Sequence, residues 1–228
     1  CHAIRRNVNM LYVLENNGVY GLTKGQFSAS ADVGSTARKG GAVNQQPPID
    51  PVLTAINFGC TFVARGFSGD KQNLVPLLKA AIRHPGFALL DVLSPCVTFN
   101  DHEGSTKSYA YTRESERTTV YADFIPSREP IETDRVQDVT TITLHDGSRI
   151  VLRKVDNDYN PLDAGAATAY IRDHQDEGEI VTGLLYINEE AQDLHAMNNT
   201  SNTPLSTLEL SKLIPGAAKL AALQKAWR

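Results

Sequence analysis

The sequence predicts a doubly wound α/β fold, which is a mainly parallel sheet with helices on both faces. Two runs of apolar residues, 10–14 and 87–93, fill nearly consecutive positions, as in strands that are buried on both faces of a parallel sheet. Between these runs, residues 71–82 carry apolar side chains at the spacing of an amphipathic helix. Such alternation of strand-like and helix-like segments is typical of a doubly wound layer.

The other segments of the first hundred residues continue this alternation. A helix that begins with proline is predicted within residues 49–57, and a strand is predicted over 61–65. Residues 66–70 have the glycines of a phosphate-binding loop but lack its Gly-Lys-Ser/Thr ending. We therefore interpret them as the N-cap of the helix that follows.

The pattern changes near residue 100, and we predict a boundary there. Residues 1–100 form the α/β portion, and residues 101–228 form a smaller α+β extension. The extension is predicted to contain a hairpin within 139–155, with Asp146 and Gly147 as its two-residue turn. Its other predicted elements are a helix over 163–175, a strand over 183–187 and a terminal helix over 216–227 after Pro215. The terminal helix either packs on its own subunit or binds a partner.

Length, charge and cysteine content limit the possible classes of protein. The chain has 228 residues, of which 41% are hydrophobic, and this is enough for one sizeable core. A net charge of −4 with mixed signs gives no indication of nucleic-acid binding, and no apolar run is long enough to span a bilayer. Without such an apolar run, we expect a soluble protein. Three cysteines are too few for a disulfide framework, so we also expect a reducing compartment and a cytoplasmic protein. The six histidines show no repeated metal-ligand spacing and are interpreted as structural or surface residues.

The segment that follows the first predicted strand, residues 16–26, is the strongest candidate for a ligand site. Parallel sheets bind ligands beyond the carboxyl ends of their strands, and this segment occupies that position. Asn16 and Asn17 offer hard oxygens that suit Mg²⁺, and Lys24 supplies a point charge for a carboxylate or phosphate. Composition alone favours the alternative, an ordinary glycine-rich turn.

A second candidate follows the strand predicted over 87–93. Cys96 lies within Ser-Pro-Cys-Val-Thr-Phe-Asn, where the chain leaves the sheet on the side that faces ligands. A lone cysteine in this position is most often a structural residue. Position alone therefore favours a structural role for Cys96 over a chemical one.

Both candidate segments resemble motifs of one enzyme family. Residues 16–26, Asn-Asn-Gly-Val-Tyr-Gly-Leu-Thr-Lys-Gly-Gln, resemble the second half of the thiamine diphosphate and Mg²⁺ motif in the beta subunit of 2-oxoacid:ferredoxin oxidoreductases. Residues 94–100 resemble the segment of that subunit that carries the fourth thiolate of a [4Fe-4S] cluster. The tail, including residues 182–187, is most similar to the beta subunits that act on 2-oxoglutarate. The resemblance implies a thiamine diphosphate-binding fold.

The resemblance also implies roles for individual residues. Asn17 would bind Mg²⁺ through its side chain, and Val19 would bind it through its backbone carbonyl. Cys96 would be one ligand of a [4Fe-4S] cluster, which normally has four thiolates. Lys24 would face the substrate and pair with its carboxylate. The other residues assigned to cofactor binding are Tyr20, Leu22 and Thr23.

The activity that the resemblance implies is oxidative decarboxylation of a 2-oxo acid to its acyl-CoA, or the reverse carboxylation. Decarboxylation on thiamine leaves an electron-rich intermediate, and an iron–sulfur cluster accepts its electrons one at a time. The implied partners are an alpha subunit of the same complex and ferredoxin, with coenzyme A as acyl acceptor. The expected substrate is 2-oxoglutarate, and pyruvate and branched-chain 2-oxo acids are alternatives. No nucleic-acid or membrane partner is expected.

The chain departs from the family pattern because it lacks two of its features. The Gly-Asp-Gly half of the thiamine motif does not occur in the sequence, and neither do the three other cysteines of the cluster. We therefore expect an N-terminally truncated chain that begins at Cys1. Two alternatives remain open: a thiamine decarboxylase without redox chemistry, and a fragment that keeps its subunit contacts but binds neither cofactor.

Overall fold

In a computed structural model, the described residues form one seven-stranded sheet with helices packed against it. The structure describes residues 1–22, 25–36, 42–125, 139–143, 147–154, 159–214 and 216–227. The strands are β1 (Met10–Asn16), β2 (Phe62–Phe67), β3 (Phe87–Leu93), β4 (Glu116–Ile125), β5 (Val139–Thr143), β6 (Arg149–Lys154) and β7 (Ile180–Ile187). The helices are α1 (His2–Arg5), α2 (Pro51–Asn57), α3 (Lys71–Arg83), α4 (Tyr109–Ser115), α5 (Ala164–Asp176), α6 (Leu194–Met197), α7 (Leu210–Leu213) and α8 (Gly216–Ala226), with a 3₁₀ turn at Leu205–Thr207.

The strands lie in the order β1-β3-β2-β7-β4-β6-β5. The strands β1, β3 and β2 are mutually parallel, and β7 is parallel to β4. The pairings of β2 with β7, β4 with β6 and β5 with β6 are antiparallel. The predicted α/β fold is confirmed, and its parallel part holds the strands that precede both candidate segments.

Strand β1 differs from its prediction in burial. Residues 10–14 were expected to be buried on both faces, but β1 lies at the edge of the sheet. The side chains of Met10, Tyr12 and Val13 are exposed. Helix α2 packs on β2 and β3, helix α3 packs mainly on β4, β2 and β3, and both cover little of β1. The apolar run therefore predicted the strand correctly, but it did not predict that helices leave much of this strand exposed.

The core lies around β2, β3 and β7. Every residue of β2 and β3 is buried, and Leu77 of α3 and Ile171 of α5 pack into the same cluster. Helix α3 begins where the sequence indicated, because the Asp70 side chain accepts hydrogen bonds from the backbone N–H groups of Gln72 and Asn73. The interpretation of residues 66–70 as an N-cap is thereby confirmed.

The second half of the chain completes the same sheet. The predicted hairpin is formed by β5 and β6, with Thr143 opposite Arg149, and Asp146 of its predicted turn lies outside the described residues. Strand β4 and helix α4 occupy a polar stretch for which the sequence predicted no element. Buried Thr119 of β4 donates a hydrogen bond to the Thr182 carbonyl at 2.9 Å, so its hydroxyl is satisfied inside the sheet.

The chain divides into two compact units, residues 1–194 and residues 195–228. The first unit contains the whole described sheet, and β2 and β7 from either side of residue 100 pair within it. The boundary near residue 100 stays a prediction. In the second unit no described residue of α7 or α8 is buried, and Pro215 lies outside the described residues. Among the described helices, none combines the length and hydropathy that crossing a bilayer requires.

Candidate cofactor site at the carboxyl ends of the strands

Two loops leave the parallel part of the sheet side by side at its carboxyl edge. The glycine loop, residues 16–28, follows β1, and the cysteine loop, residues 94–108, follows β3. The backbone N–H of Ser94 donates to the carbonyl of Asn16 at 3.0 Å, so the loops begin in contact. The two segments that the sequence selected therefore share one edge of the sheet, as expected for a ligand site in a parallel fold.

The glycine loop folds back on itself through a short antiparallel bridge between Val19 and Phe27. The Tyr20 N–H donates to the Gln26 carbonyl, and the Ser28 N–H donates to the Gly18 carbonyl, each at 2.9 Å. These two bonds flank the Val19–Phe27 pair, so the Val19 carbonyl takes no part in the bridge. The turn before it is left-handed at Gly18, whose φ is +72°.

The two asparagines at the end of β1 have different roles. Asn16 is buried, and its side-chain oxygen accepts a hydrogen bond from the Ser30 hydroxyl at 2.7 Å. Asn17 is half-buried, and its side-chain oxygen accepts from the Val19 N–H at 3.0 Å, which leaves a second lone pair. Asn16 therefore anchors the loop, while the Asn17 amide and the Val19 carbonyl are the hard oxygens that fit Mg²⁺.

The remaining residues assigned to the thiamine site are only partly described. Tyr20 and Leu22 are both exposed, and Leu22 is 93% exposed. Thr23 and Lys24 lie outside the described residues. The assignments of all four residues stay predictions, and an exposed Leu22 is accessible to a ligand or to a partner chain.

Among the described cysteines, Cys96 alone lies at this edge of the sheet. It is half-buried in a tight turn, in which its carbonyl accepts from the N–H groups of Phe99 and Asn100 at 3.2 and 2.8 Å. The buried Cys60 thiol lies 3.1 Å from the Phe62 carbonyl, and burial raises its pKa to about 11. Cys60 is therefore a protonated core residue, and among the described cysteines Cys96 is the thiol that could act as a ligand at this edge; its role as a cluster ligand stays a prediction.

The cysteine loop reaches across to the glycine loop through side chains that the sequence did not single out. The Asn100 side-chain NH₂ donates to the Asn17 carbonyl at 2.7 Å. Lys107 is 9% exposed, and its ammonium group lies 2.8 Å from the Asp32 carboxylate. Neighbouring positions along the chain give no sign of these contacts, because each joins residues more than 70 positions apart.

A buried ion triad lies beneath the site. The Arg65 guanidinium on β2 contacts Asp91 on β3 and Asp50 at the start of α2, each at 2.8 Å. Burial by itself raises the pKa of Asp50, but the charge and hydrogen bond of Arg65 outweigh it and hold that pKa below its usual value. The side chain of Gln175 on α5 also donates to Asp50. The triad thus ties α2 and α5 to the two central parallel strands, beside a cavity of about 550 Å³.

One charged cluster outside this edge was also missed by the sequence. His174, Glu177 and Glu179 bring ligand-type atoms within 4.8 Å of one another. The nearest pair is His174 Nδ1 with a Glu179 carboxylate oxygen at 2.7 Å, and Arg117 contacts the same carboxylate at 3.3 Å. Because Arg117 already balances the Glu179 charge, we interpret the cluster as an ion-pair network at the end of α5.

Comparisons with known proteins agree with the geometry. Residues 1–92 match the family model described as thiamine pyrophosphate enzyme, C-terminal TPP binding domain. A 2-oxoacid:ferredoxin oxidoreductase beta subunit from Sulfolobus sp. is 48% identical over 97 residues, which are 42% of this chain and 32% of that protein. The corresponding subunit from Saccharolobus solfataricus is 42% identical over 128 residues, 56% of this chain and 39% of that protein. The subunit KorB of a 2-oxoglutarate oxidoreductase from Mycobacterium tuberculosis is 41% identical over 100 residues, 44% of this chain and 27% of that protein.

A solved structure resembles nearly the whole chain. It is a 2-oxoglutarate:ferredoxin oxidoreductase from Magnetococcus marinus with 2-oxoglutarate, coenzyme A and succinyl-CoA bound. Its TM-score is 0.63 at 27% sequence identity, over 97% of this chain and 60% of that chain. The matched part of our chain spans about a third of the curated relatives' length. The thiamine diphosphate-binding fold is confirmed, and the chain is similar in sequence to 2-oxoacid:ferredoxin oxidoreductase beta subunits over the matched part.

Proposed function

We propose that this chain is the thiamine diphosphate-binding part of an enzyme that oxidatively decarboxylates a 2-oxo acid to its acyl-CoA and reduces ferredoxin, or catalyses the reverse reaction. The observation that carries the proposal is the contact between the glycine loop and the cysteine loop at the carboxyl edge of the sheet. Through Asn100, this contact connects the turn that would supply oxygens to Mg²⁺ with the turn that carries a half-buried thiol. A thiamine enzyme without redox chemistry has no use for that thiol, and the names of the relatives do not favour such an enzyme.

The oxygen ligands of the glycine loop would hold thiamine diphosphate through Mg²⁺. The Asn17 side chain and the Val19 carbonyl would hold the metal, which would neutralise the charge of the diphosphate. Bound thiamine supplies the electron sink that decarboxylation of a 2-oxo acid requires. The task of the loop is to fix these two oxygens, and the Asn17–Val19 hydrogen bond at 3.0 Å and the Val19–Phe27 bridge both do so.

The thiol of Cys96 would be one of four thiolate ligands of a [4Fe-4S] cluster. Its half-buried position lets the thiolate bind iron while the rest of the loop restricts access of water. No second described cysteine lies at this edge, so the other three ligands would come from outside the described residues. The cluster would pass electrons singly to ferredoxin.

The substrate is proposed to be 2-oxoglutarate, with coenzyme A as acyl acceptor. Support comes from the KorB relatives, whose names specify 2-oxoglutarate, and from the solved relative that holds 2-oxoglutarate, coenzyme A and succinyl-CoA. Lys24 would pair with a substrate carboxylate, and Tyr20, Leu22 and Thr23 would line the cofactor pocket. An alpha subunit is the proposed partner, and the exposed Leu22 fits contact with such a chain.

Calorimetric titration of thiamine diphosphate into the alpha–beta complex, with Mg²⁺ in excess, tests the thiamine site. We expect Asn17→Leu to abolish binding, because an apolar side chain offers the metal no oxygen. The matched control is Asn202→Leu, an exposed asparagine in the second unit, which should bind like the parent. Unchanged affinity in Asn17→Leu would exclude the ligand role, and a parent complex that binds no thiamine would favour a fragment with subunit contacts only.

Iron analysis of the same complex tests the cluster ligand. Cys96→Ala should lose iron and the electron paramagnetic resonance signal of the reduced cluster. Cys1→Ala removes an exposed cysteine and should keep both. A full iron content in Cys96→Ala would rule out Cys96 as a ligand.

A further inference from the structure

Asn100 contacts both halves of the candidate site. Its side-chain NH₂ donates to the Asn17 carbonyl at 2.7 Å, and its backbone N–H donates to the Cys96 carbonyl at 2.8 Å. Its own carbonyl accepts from the Ser105 hydroxyl at 3.0 Å, and the residue is 2% exposed. A buried residue whose side chain, backbone N–H and carbonyl are all hydrogen-bonded has little freedom to move independently of the two loops.

Lys107 and Gly18 add a packing contact beside this hydrogen bond. A Cβ atom placed on Gly18 would lie 3.0 Å from the Lys107 Cγ and 3.1 Å from the Asn100 NH₂ nitrogen. The aliphatic stem of Lys107 therefore lies directly on the Gly18 backbone, while its ammonium group is held by Asp32 at 2.8 Å. The glycine loop cannot shift at Asn17 or Gly18 without moving the cysteine loop.

We propose that Asn100 is a positioning residue that couples the state of Cys96 to the position of Asn17, the Mg²⁺ ligand. The inference rests on the proposed function, because it assigns cofactors to these two residues. Ligation of Cys96 to a cluster fixes the turn from Cys96 to Asn100, and the Asn100 NH₂ group passes this constraint to the Asn17 carbonyl. The direction of the Asn17 side chain follows from its backbone, so a fixed carbonyl orients the metal ligand.

The coupling free energy between two binding sites is the same whichever site is filled first. The proposal can therefore be measured at the thiamine site or at the cluster site. An occupied cluster site should strengthen thiamine diphosphate binding, and thiamine should in turn stabilise the cluster. If Asn100 only stabilised the fold, its substitution would lower thiamine diphosphate affinity and cluster stability independently of each other. Non-additivity between substitutions at Cys96 and Asn100 therefore separates a positioning role from a structural one.

The test uses the alpha–beta complex in four forms: the parent, Asn100→Leu, Cys96→Ser and the double variant. Leucine keeps the size of asparagine but has no donor for the Asn17 carbonyl. Calorimetry with Mg²⁺ in excess gives the dissociation constant of thiamine diphosphate for each. We expect Asn100→Leu to weaken binding about 10-fold, the size expected for the loss of one buried hydrogen bond. Cys96→Ser should weaken binding in the parent background but cause no further change in the double variant.

Two further measurements keep the result interpretable. Chymotrypsin should cut the glycine loop after Tyr20 faster in Asn100→Leu than in the parent, with no cofactor present. His102→Ala, in the same loop but with its ring nitrogen bonded to Glu103, is the matched control and should behave like the parent in both assays. If Asn100→Leu does not fold, Ser105→Ala, which removes the hydroxyl that holds the Asn100 carbonyl, should show a smaller effect of the same sign.

The outcomes separate this proposal from the proposed function. Additive effects of the two substitutions, or an Asn100→Leu complex with the thiamine affinity and cleavage rate of the parent, would overturn the coupling. An unaltered Ser105→Ala complex would do the same where Asn100→Leu is unfolded. A parent complex that binds no thiamine would refute the proposed function, and with it the coupling to a cofactor.

Discussion

Replacing Arg65 by leucine should destabilise this protein more than any surface substitution. Arg65 is 5% exposed and contacts the carboxylates of Asp50 and Asp91, each at 2.8 Å. Asp91 is fully buried, and one of its oxygens has no hydrogen-bond partner among the described residues even when Arg65 is present. Arg65→Leu therefore leaves the buried Asp91 carboxylate and the partly buried Asp50 carboxylate close together without a positive charge between them.

The magnitude follows from the cost of breaking a buried ion pair on one side. Removing one partner of such a pair costs about 3–5 kcal/mol, because the remaining charge stays buried without compensation. The free energy of unfolding of a domain is only about 5–15 kcal/mol in total. We therefore expect Arg65→Leu to lose a large part of the stability of the first unit.

The loss of stability in Arg65→Leu should become smaller as the pH is lowered. In the parent, Arg65 holds the pKa of Asp50 below its ordinary value of 3.8, so this carboxylate contributes stability above pH 3.8, and that contribution is lost as the pH falls through the lowered pKa. In Arg65→Leu the charge and hydrogen bond of Arg65 are lost, and burial, the largest influence, is opposed only by the hydrogen bonds from the Leu53 N–H and Gln175, so the pKa of Asp50 should rise. Protonation then relieves the penalty, and the difference in stability between parent and variant should shrink as the pH is lowered from about 7 to about 4.

Urea unfolding followed by circular dichroism at a series of pH values measures both quantities. The matched control is Arg172→Leu, an exposed arginine on α5, which should change stability by about 0.5 kcal/mol or less. A loss below about 1 kcal/mol in Arg65→Leu, or a loss that does not decrease toward acid pH, would refute the reasoning about uncompensated buried charge.

Two further predictions concern the candidate site and the core. Gly18→Ala should cost about 1–2 kcal/mol, because the φ of +72° is strained for alanine. The added methyl group should displace the Lys107 stem and weaken thiamine diphosphate binding, as measured by calorimetry. An affinity equal to that of the parent would show that the contact between Gly18 and Lys107 is not required. Iodoacetamide at pH 8 should modify Cys1 rapidly and Cys60 only after unfolding, because burial raises the Cys60 pKa to about 11. Mass spectrometry of the digested protein measures both rates, and fast labelling of Cys60 in the folded protein would contradict its place in the core.

Local chemistry explains why several elements were predicted well. Helices α2, α3 and α5 each begin at an aspartate whose side chain accepts two backbone hydrogen bonds, and this signal lies within a few residues of the helix. Strand β3 was predicted with its observed bounds, because apolar residues fill almost every position. The positions of both candidate loops follow from these strands, since ligand sites lie beyond their carboxyl ends.

Elements that depend on distant partners were predicted less well. In strand β4, the polar side chain of Thr119 can be buried because its hydroxyl donates a hydrogen bond to the Thr182 carbonyl of the neighbouring strand. The exposure of β1 depends on its place at the edge of the sheet, and the apolar run of residues 10–14 does not indicate that place. Hydropathy along the chain indicates which residues tend to be buried, but it does not indicate which strands and helices cover them.

The sequence by itself determined the α/β class, the resemblance to one enzyme family, the caps of the main helices and the two loops that carry the candidate ligands. Each of these depends on residues that are close together in the chain. Only the tertiary structure decided that the Asn16 side chain anchors its loop, that Arg65 joins Asp50 to the buried Asp91, and that Asn100 bonds to the Asn17 carbonyl. These contacts join residues far apart in sequence, and their partners are fixed by the order and register of the strands.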